Sequence, residues 1–259
     1  MTSTQLKYLK FAKSELHSEV IPAIKQNNTL VIVPAFNEGW NIESLIDEIH
    51  GKGNLDILVV NDSSNDNTET IARKTKKAHV ITLPHNLGIG GAVQTGFKFA
   101  AKFGYDYVLQ VDADGQHIVD EIPRLLKLVK LGKSDVAIGS RFNKKHRGYK
   151  SSFTRRIGIK ILEWIGMILI NQRISDTTSG FRAYNKKAVN FLAKSYPTDY
   201  PEPEAIILLG KSGFKMSEVF TEMKAREGGK SSISKNGVFY MIKVTLGMIM
   251  TYMRPKSLR

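Results

Sequence analysis

Short apolar runs alternate along the chain with segments whose apolar residues recur every three or four positions. TLVIVPAF (29–36), DILVVND (56–62), HVITLP (79–84), YDYVLQVDAD (105–114) and SDVAIGSRF (134–142) are β-branched or aliphatic runs bounded by polar and turn residues. That is the signature of buried strands. NIESLIDEIH (41–50) carries apolar residues at 42, 45, 46 and 49, which is helical spacing. NDNTETIARKTKK (65–77) predicts a polar helix with Asn65 or Asp66 as its cap, GGAVQTGFKFAAKFG (90–104) a helix closed by Gly104, and EIPRLLKLVKLG (121–132) a fourth helix. Such alternation predicts a mostly parallel sheet with helices on both faces. In sheets of this kind the ligand lies beyond the carboxyl ends of the strands. Glu38, Asp62, His85, Asn86, Asp112, Asp114 and Arg141 all follow predicted strands and fall at that edge.

Beyond residue 142 the pattern loosens. Residues 153–170 predict an amphipathic helix with a basic start, 174–195 a loop entering a helix near Asn185, 198–213 a Pro-bounded loop and a helix closed by Gly213, and 214–226 a pair of strand-like segments. The longest apolar stretch is GVFYMIKVTLGMIMTYM (237–253). Lys243 interrupts it, and it falls short of the roughly 20 residues that a spanning helix needs. No transmembrane helix and no signal segment are expected. The expected organisation is an N-terminal helical arm over 1–28, a main domain over 29–235 and an apolar, basic helix over 236–259.

Charge adds a partner class. With 38 basic and 24 acidic residues the net charge is +14, which attracts polyanions such as nucleic acid, anionic lipid or phosphorylated substrates, or serves solubility alone. Basic residues cluster at 141–160 and 224–235 without a nucleic-acid-binding motif, so nucleic acid is not an expected partner. Cysteine is absent, which excludes disulfides and thiolate metal sites.

The chemistry concentrates in LQVDADGQHI (109–118). Asp112 and Asp114 repel one another unless a cation lies between them, and a hard ion with oxygen ligands, Mg2+ or Mn2+, suits the pair. Gln116 can add an oxygen. The competing reading is an Asx-turn with Gly115 at positive φ. Asp62 can bond a base or ribose, or can cap the next helix. The Gly-rich loop 83–96, which includes Gly90 and Gln94, opens a helix and can cradle a phosphate on its N–H groups. Arg141, Arg182, Arg226 and Lys230 are candidate phosphate cations or solvated surface charges. Glu202 and Glu204 in YPEPEA include either a general base or a helix cap after proline.

VIVPAFNE, ILVVNDSSNDNT, HNLGIGGAVQTGF, VLQVDADGQH and SDTTSGFRAY together resemble the family 2 glycosyltransferases, and among these the dolichyl- or polyprenyl-phosphate sugar transferases (dolichol-phosphate mannosyltransferase-like). The likeness covers roughly 29–235. It implies the nucleotide-diphospho-sugar transferase (GT-A type) fold, with a Rossmann-like sheet and C-terminal amphipathic helices, and inverting transfer from a UDP- or GDP-sugar. By that resemblance Pro34, Phe36 and Glu38 hold the nucleoside, Asp62 meets the base, Gly90 and Gln94 belong to the donor site, and Asp112, Asp114 and Gln116 bind Mg2+ or Mn2+. Arg141, Ser179 and Arg182 lie around the donor phosphates and acceptor, Arg226 and Lys230 close over the diphosphate, and Asp114, Arg141, Arg182 and Glu204 are the catalytic candidates.

The acceptor expected from the resemblance is polyprenyl phosphate. Helices 157–170 and 237–253 are then expected to lie on an anionic membrane surface at its cytoplasmic face, or alternatively to pack in the core or in an interface with a second copy or a small membrane protein. The sequence departs from processive synthases in lacking Gln-x-x-Arg-Trp. Two other readings remain: transfer to a saccharide hydroxyl in cell-wall or capsular polysaccharide, with Glu202 or Glu204 as base, and sugar-nucleotide binding without catalysis.

Overall fold

The computed structural model describes residues 26–142, 153–222 and 237–254. The expected arm lies outside these, apart from residues 26–28. The strands are β1 (Thr29–Ala35), β2 (Asp56–Asn61), β3 (His79–Thr82), β4 (Tyr107–Gln110), β5 (Val136–Ser140), β6 (Arg182–Asn185) and β7 (Met216–Phe220). The helices are α1 (Ile42–His50), α2 (Thr68–Lys74), α3 (Gly88–Lys102), α4 (Ile122–Lys130), α5 (Phe153–Ile170), α6 (Lys186–Ser195), α7 (Pro201–Lys211) and α8 (Gly237–Met253).

All seven strands join one sheet in the order β3-β2-β1-β4-β6-β5-β7. Every pairing is parallel except those of β6, which runs antiparallel to both β4 and β5. Alternate strand residues feed two cores. Leu30, Ile32, Leu58, Val60, Val108 and Tyr184 meet α3, α6 and α7 on one face. Val31, Val33, Ile57, Val59, Leu109 and Ala183 meet α1 and α4 on the other. Burial on both faces is why the strands read as continuous apolar runs rather than as alternating ones.

The five predicted strands and the helices between them are present. β6 is the departure from a wholly regular reading: Arg-Ala-Tyr-Asn is four residues long with no β-branched side chain, and the expected loop into a helix near Asn185 hides it. Asn185 does cap that helix, its side chain accepting from the Ala188 N–H at 3.0 Å.

β6 matters because it is reversed. Gln110 at the end of β4 pairs with Arg182 at the start of β6. The loop entering β6 therefore arrives at the same edge where the parallel strands end. β1 and β4 stop pairing at Ile32 and Gln110, whereas β1 and β2 stay paired to Ala35 and Asn61. Beyond Ile32 the sheet opens between β1 and β4. Chain order reverses there, the place where such sheets take ligands. Pro34, which has no N–H to give, sits past the last β4 partner, so the missing donor removes no bond to that strand.

The helix α3 lies close on β1. A Cβ at Gly96 would stand 2.5 Å from Ile32 Cγ2, far inside contact distance. Gly96→Ala is expected to lower the unfolding free energy by about 1–3 kcal/mol, the usual penalty of overpacking. A urea titration measures it; an unchanged midpoint would show that α3 can move off the strand.

Candidate active site

The loops after β1 and β2 are tied to each other at the open edge. Asn37 and Ser63 both adopt positive φ, 57° and 60°. Asn37 Oδ1 accepts from the Asn65 N–H at 2.8 Å, and the Asn37 N–H donates to Ser64 Oγ at 3.0 Å. The Glu38 N–H donates to Thr68 Oγ1, and the Gly39 N–H to Asp66 Oδ2. Asp66 also accepts from the Thr68 N–H at the start of α2. Burial works against the Asp66 anion, but these donors outweigh it and hold its pKa below the usual value. Glu38 receives the Trp40 indole N–H at 2.9 Å, and Phe36 stands exposed beside this loop.

The turn after β4 is built as an Asx-turn. Asp114 Oδ1 accepts from the Gln116 N–H at 3.1 Å, and Gly115 has φ 71°. Asn41, from the start of α1, donates to the Ala113 carbonyl at 2.9 Å. Turn chemistry and metal binding do not exclude one another, because the turn bond engages Asp114 and leaves Asp112 to other partners. Asp112 Oδ2 faces His117 Nε2 at 3.2 Å, and the His117 ring stacks on Phe181 with 4.9 Å between centroids. Asp112 Oδ1 is buried with no hydrogen-bond partner among the described residues, and Gln110 faces the carboxylate without closing a bond. Burial opposes the Asp112 charge, yet His117 and, further off, Arg182 outweigh it, so the pKa lies below the usual value.

The loop before β6 is pressed onto Asp112. A Cβ at Gly180 would meet Asp112 Oδ2 at 2.5 Å, so only glycine allows this approach. Arg182 holds the loop in place: its Nε donates to the Ser179 carbonyl at 2.7 Å and its Nη2 to the Thr177 carbonyl at 3.0 Å. This guanidinium is 1% exposed. Burial works against its charge, but Tyr184, Tyr196 and Glu202 more than offset that. Ser179 is buried, its hydroxyl accepting from the Phe181 N–H at 3.3 Å. Glu202, half-buried at the start of α7, is pushed up to about 7, first by burial and then by the Asp112 charge, with Arg182 opposing.

Other candidates are placed differently. Arg141 is not a loose cation: its Nε and Nη2 pair with both Asp176 oxygens at 2.7 Å, and Nη2 also meets Thr178 Oγ1. Asp62 is 3% exposed and accepts from the Leu87 N–H at 2.7 Å, so it fastens the start of α3 rather than of α2. Burial is the largest influence on Asp62 and raises its pKa. Gly90 lets α3 pack on the 197–198 backbone, where a Cβ would stand 2.8 Å from Thr198. Gln94 lies further along α3, half-buried, and receives Lys98 Nζ at 3.4 Å. Gln116 is half-buried on the turn itself. Arg226 and Lys230 lie outside the described residues.

The structure does not bring Glu204 to the crevice. It is 2% exposed, one oxygen accepting from the Tyr200 N–H at 2.9 Å and the other from the Thr251 hydroxyl at 2.7 Å. Glu202 and Glu204 are two residues apart, roughly 200° around a helix, so only one of them can face Asp112. Three residues escaped the site reading: His117, Gly180 and Asp176. The quoted motifs contained all of them, but only the fold brings His117 back onto Asp112 and joins Asp176 to Arg141.

Residues 30–192 match the family model for glycosyl transferase family 2. The chain is similar to the UDP-N-acetylglucosamine–dolichyl-phosphate N-acetylglucosaminyltransferase of Methanococcus voltae, 27% identical over 246 residues, spanning 85% of this chain and 97% of that one. It is similar to the polyprenol monophosphomannose synthase of Mycolicibacterium smegmatis, 31% identical over 219 residues, spanning 81% of this chain and 82% of that one. In fold it resembles the crystal structure of glucosyl-3-phosphoglycerate synthase from Mycobacterium tuberculosis in complex with Mn2+, uridine diphosphate and phosphoglyceric acid. That match has a TM-score of 0.66 at 19% identity, covering 90% of this chain and 81% of that one. The fold is GT-A.

The two glutamates are expected to respond oppositely. Glu204→Ala strips acceptors from a backbone N–H and a buried hydroxyl, and is expected to lower stability by about 1–3 kcal/mol in urea titrations. Glu202 has a folded pKa near 7, above the ordinary carboxylate value, so the fold prefers its protonated form. Its ionisation as pH rises through 7 works against folding. In metal-free buffer Glu202→Gln is therefore expected to match the parent at pH 5 and to melt higher at pH 8. A lower melting temperature at pH 8 would overturn that sign.

Proposed function

This chain belongs to glycosyl transferase family 2, and we propose that it moves a sugar from a nucleoside diphosphate to a polyprenyl phosphate. The observation that carries this reading is the Asp112–Asp114 turn at the end of β4, beside the gap that opens between β1 and β4, with the loop before β6 held against Asp112 by the buried Arg182. With a divalent ion between them, these carboxylates would hold a diphosphate at that edge. The two curated relatives named above carry dolichyl or polyprenol phosphate in their names. One of those names carries N-acetylglucosamine and the other mannose, so the choice of sugar and base belongs to experiment.

Among the described residues no cluster of three His, Cys, Asp or Glu ligands forms. A hard divalent ion in a phosphate site is commonly held by one or two carboxylates together with substrate oxygens. The buried, unpartnered Asp112 Oδ1 and the neighbouring Asp114 fit that pattern, with Gln116 as a further oxygen. Mg2+ or Mn2+ held there would offset charge on the departing nucleoside diphosphate. The chain's own contribution is positional. Arg182 shapes the loop against Asp112, and the Arg141–Asp176 pair sets the end of β5 beside it. A phosphate acceptor is already an anion and needs no base, in keeping with Glu204 being spent on Tyr200 and Thr251. A hydroxyl acceptor needs one, and Glu202, which burial pushes up to about 7, would be the candidate.

We also propose that the enzyme rests on the cytoplasmic face of the membrane. No helix among the described residues is long and apolar enough to cross one. The helices α5 and α8 pack side by side and bury Leu162, Val244 and Met248. Their outer faces nonetheless expose Ile161, Trp164 and Ile168 on α5 and Ile242, Leu246, Met250 and Met253 on α8, with Trp164 61% and Met250 65% exposed. Lys160, Lys243 and Arg254 border these stripes and suit anionic lipid headgroups. The acceptor lipid would be met in place.

Purified protein given Mn2+, a short-chain polyprenyl phosphate and a panel of UDP- and GDP-sugars is expected to form the lipid-phosphate-sugar, detected by mass spectrometry, and Asp114→Ala is expected to abolish it. Nucleotide release without lipid product, lost again in Glu202→Gln, would replace this reading with a saccharide acceptor. On vesicles containing phosphatidylglycerol the protein is expected to float, and Trp164→Glu with Met250→Glu to weaken binding about tenfold per apolar anchor lost. Protein that stays wholly in the soluble fraction would exclude the membrane surface.

A further inference from the structure

We propose that His117 is a positioning residue that assigns the two oxygens of Asp112 separate tasks, one to the protein and one to the metal. The inference rests on the metal reading of the Asp112–Asp114 turn.

His117 is 4% exposed, and its ring lies stacked on Phe181, 4.9 Å between centroids and 21° from parallel. That packing fixes the plane in which Nε2 points, and Nε2 meets Asp112 Oδ2 at 3.2 Å. An ionised carboxylate only accepts, so Nε2 carries the proton. Gly180 lets the backbone approach both oxygens, since a Cβ there would stand 2.5 Å from Oδ2 and 2.7 Å from Oδ1. Hydrogen bonding separates the two: Oδ2 meets His117, and Oδ1 is buried without a hydrogen-bond partner among the described residues. Leaving a buried carboxylate oxygen unpartnered is unfavourable, and a cation in the crevice would relieve it. His117 thus stands to Asp112 as an outer partner that orients a metal ligand and holds it in one rotamer. Partners of this kind commonly account for 10–100-fold in metal affinity. Neither the stack nor the Nε2 contact has any other evident task at the surface of the sheet.

The test measures Mn2+ binding directly, by the electron paramagnetic resonance of the unbound ion, in the full-length protein with UDP and separately with GDP. Three variants accompany the parent. Asp114→Ala removes a proposed ligand and is expected to lose binding. His117→Phe keeps the stack on Phe181 but loses the donor, and is expected to weaken Mn2+ binding by about 10–100-fold with little change in metal-free melting temperature. His117→Gln places an N–H near the same position and is expected to recover most of the affinity. A parent that binds no Mn2+ would sink the metal reading and this inference with it. A parent that binds, an Asp114→Ala that does not, and a His117→Phe as tight as the parent would overturn the inference alone. Equal weakening in Phe and Gln would also overturn it, since packing rather than the donor would then be responsible.

Discussion

The site depends on one buried cation. Arg182 has almost no exposure, and a guanidinium in that position is tolerated only where its donors and its charge are both met. Its donors go to the carbonyls of Thr177 and Ser179, and its charge is offset by the Asp112 carboxylate. The geometry of that balance bends the loop before β6 so that Gly180 lies on Asp112. Removing one partner of such a set leaves an uncompensated charge, which is why these residues act as a group rather than as separate contacts. The antiparallel direction of β6 is the reason the group exists at all, because it brings the start of that strand to the edge where β4 ends.

Much of this was legible beforehand. Hydrophobic periodicity located β1 to β5 and the intervening helices, since a strand buried on both faces leaves an unmistakable apolar run. The acidic turn was legible because two aspartates around one alanine are unusual after such a run. β6 was hidden because four residues ending in a helix cap carry no period. Asp176 and Arg141 were hidden from one another by 35 positions, so the arginine read as a free cation when it is half of a bidentate pair. His117 was hidden for the opposite reason: it is five residues from Asp112, and only the positive φ of Gly115 turns the chain back far enough for the two to meet.

Glu202 and Glu204 show where periodicity alone fails. Both lie in the first turn of α7, each follows a proline, and either suits a base or a cap. The helix start at Pro201 sets the phase, and that phase sends Glu204 inward to Tyr200 and Thr251 and leaves Glu202 toward Asp112.

That division joins the two halves of the proposed activity. Thr251 belongs to α8, the helix whose outer face presents Leu246, Met250 and Met253. Gly247 of the same helix approaches Tyr200 and Glu204 so closely that a Cβ there would stand 3.1–3.2 Å from both. The first turn of α7 therefore touches the exposed apolar helix on one side through Glu204 and reaches the acidic turn on the other through Glu202. A lipid whose head enters the crevice and whose chain follows the outer face of α8 would run past a single rigid turn of helix. Rigidity there is what the proposed transfer would need, because a misplacement of about 1 Å between acceptor and donor costs on the order of a hundredfold in rate. The short contact between α7 and α8 is the element of this fold that can keep the two in register.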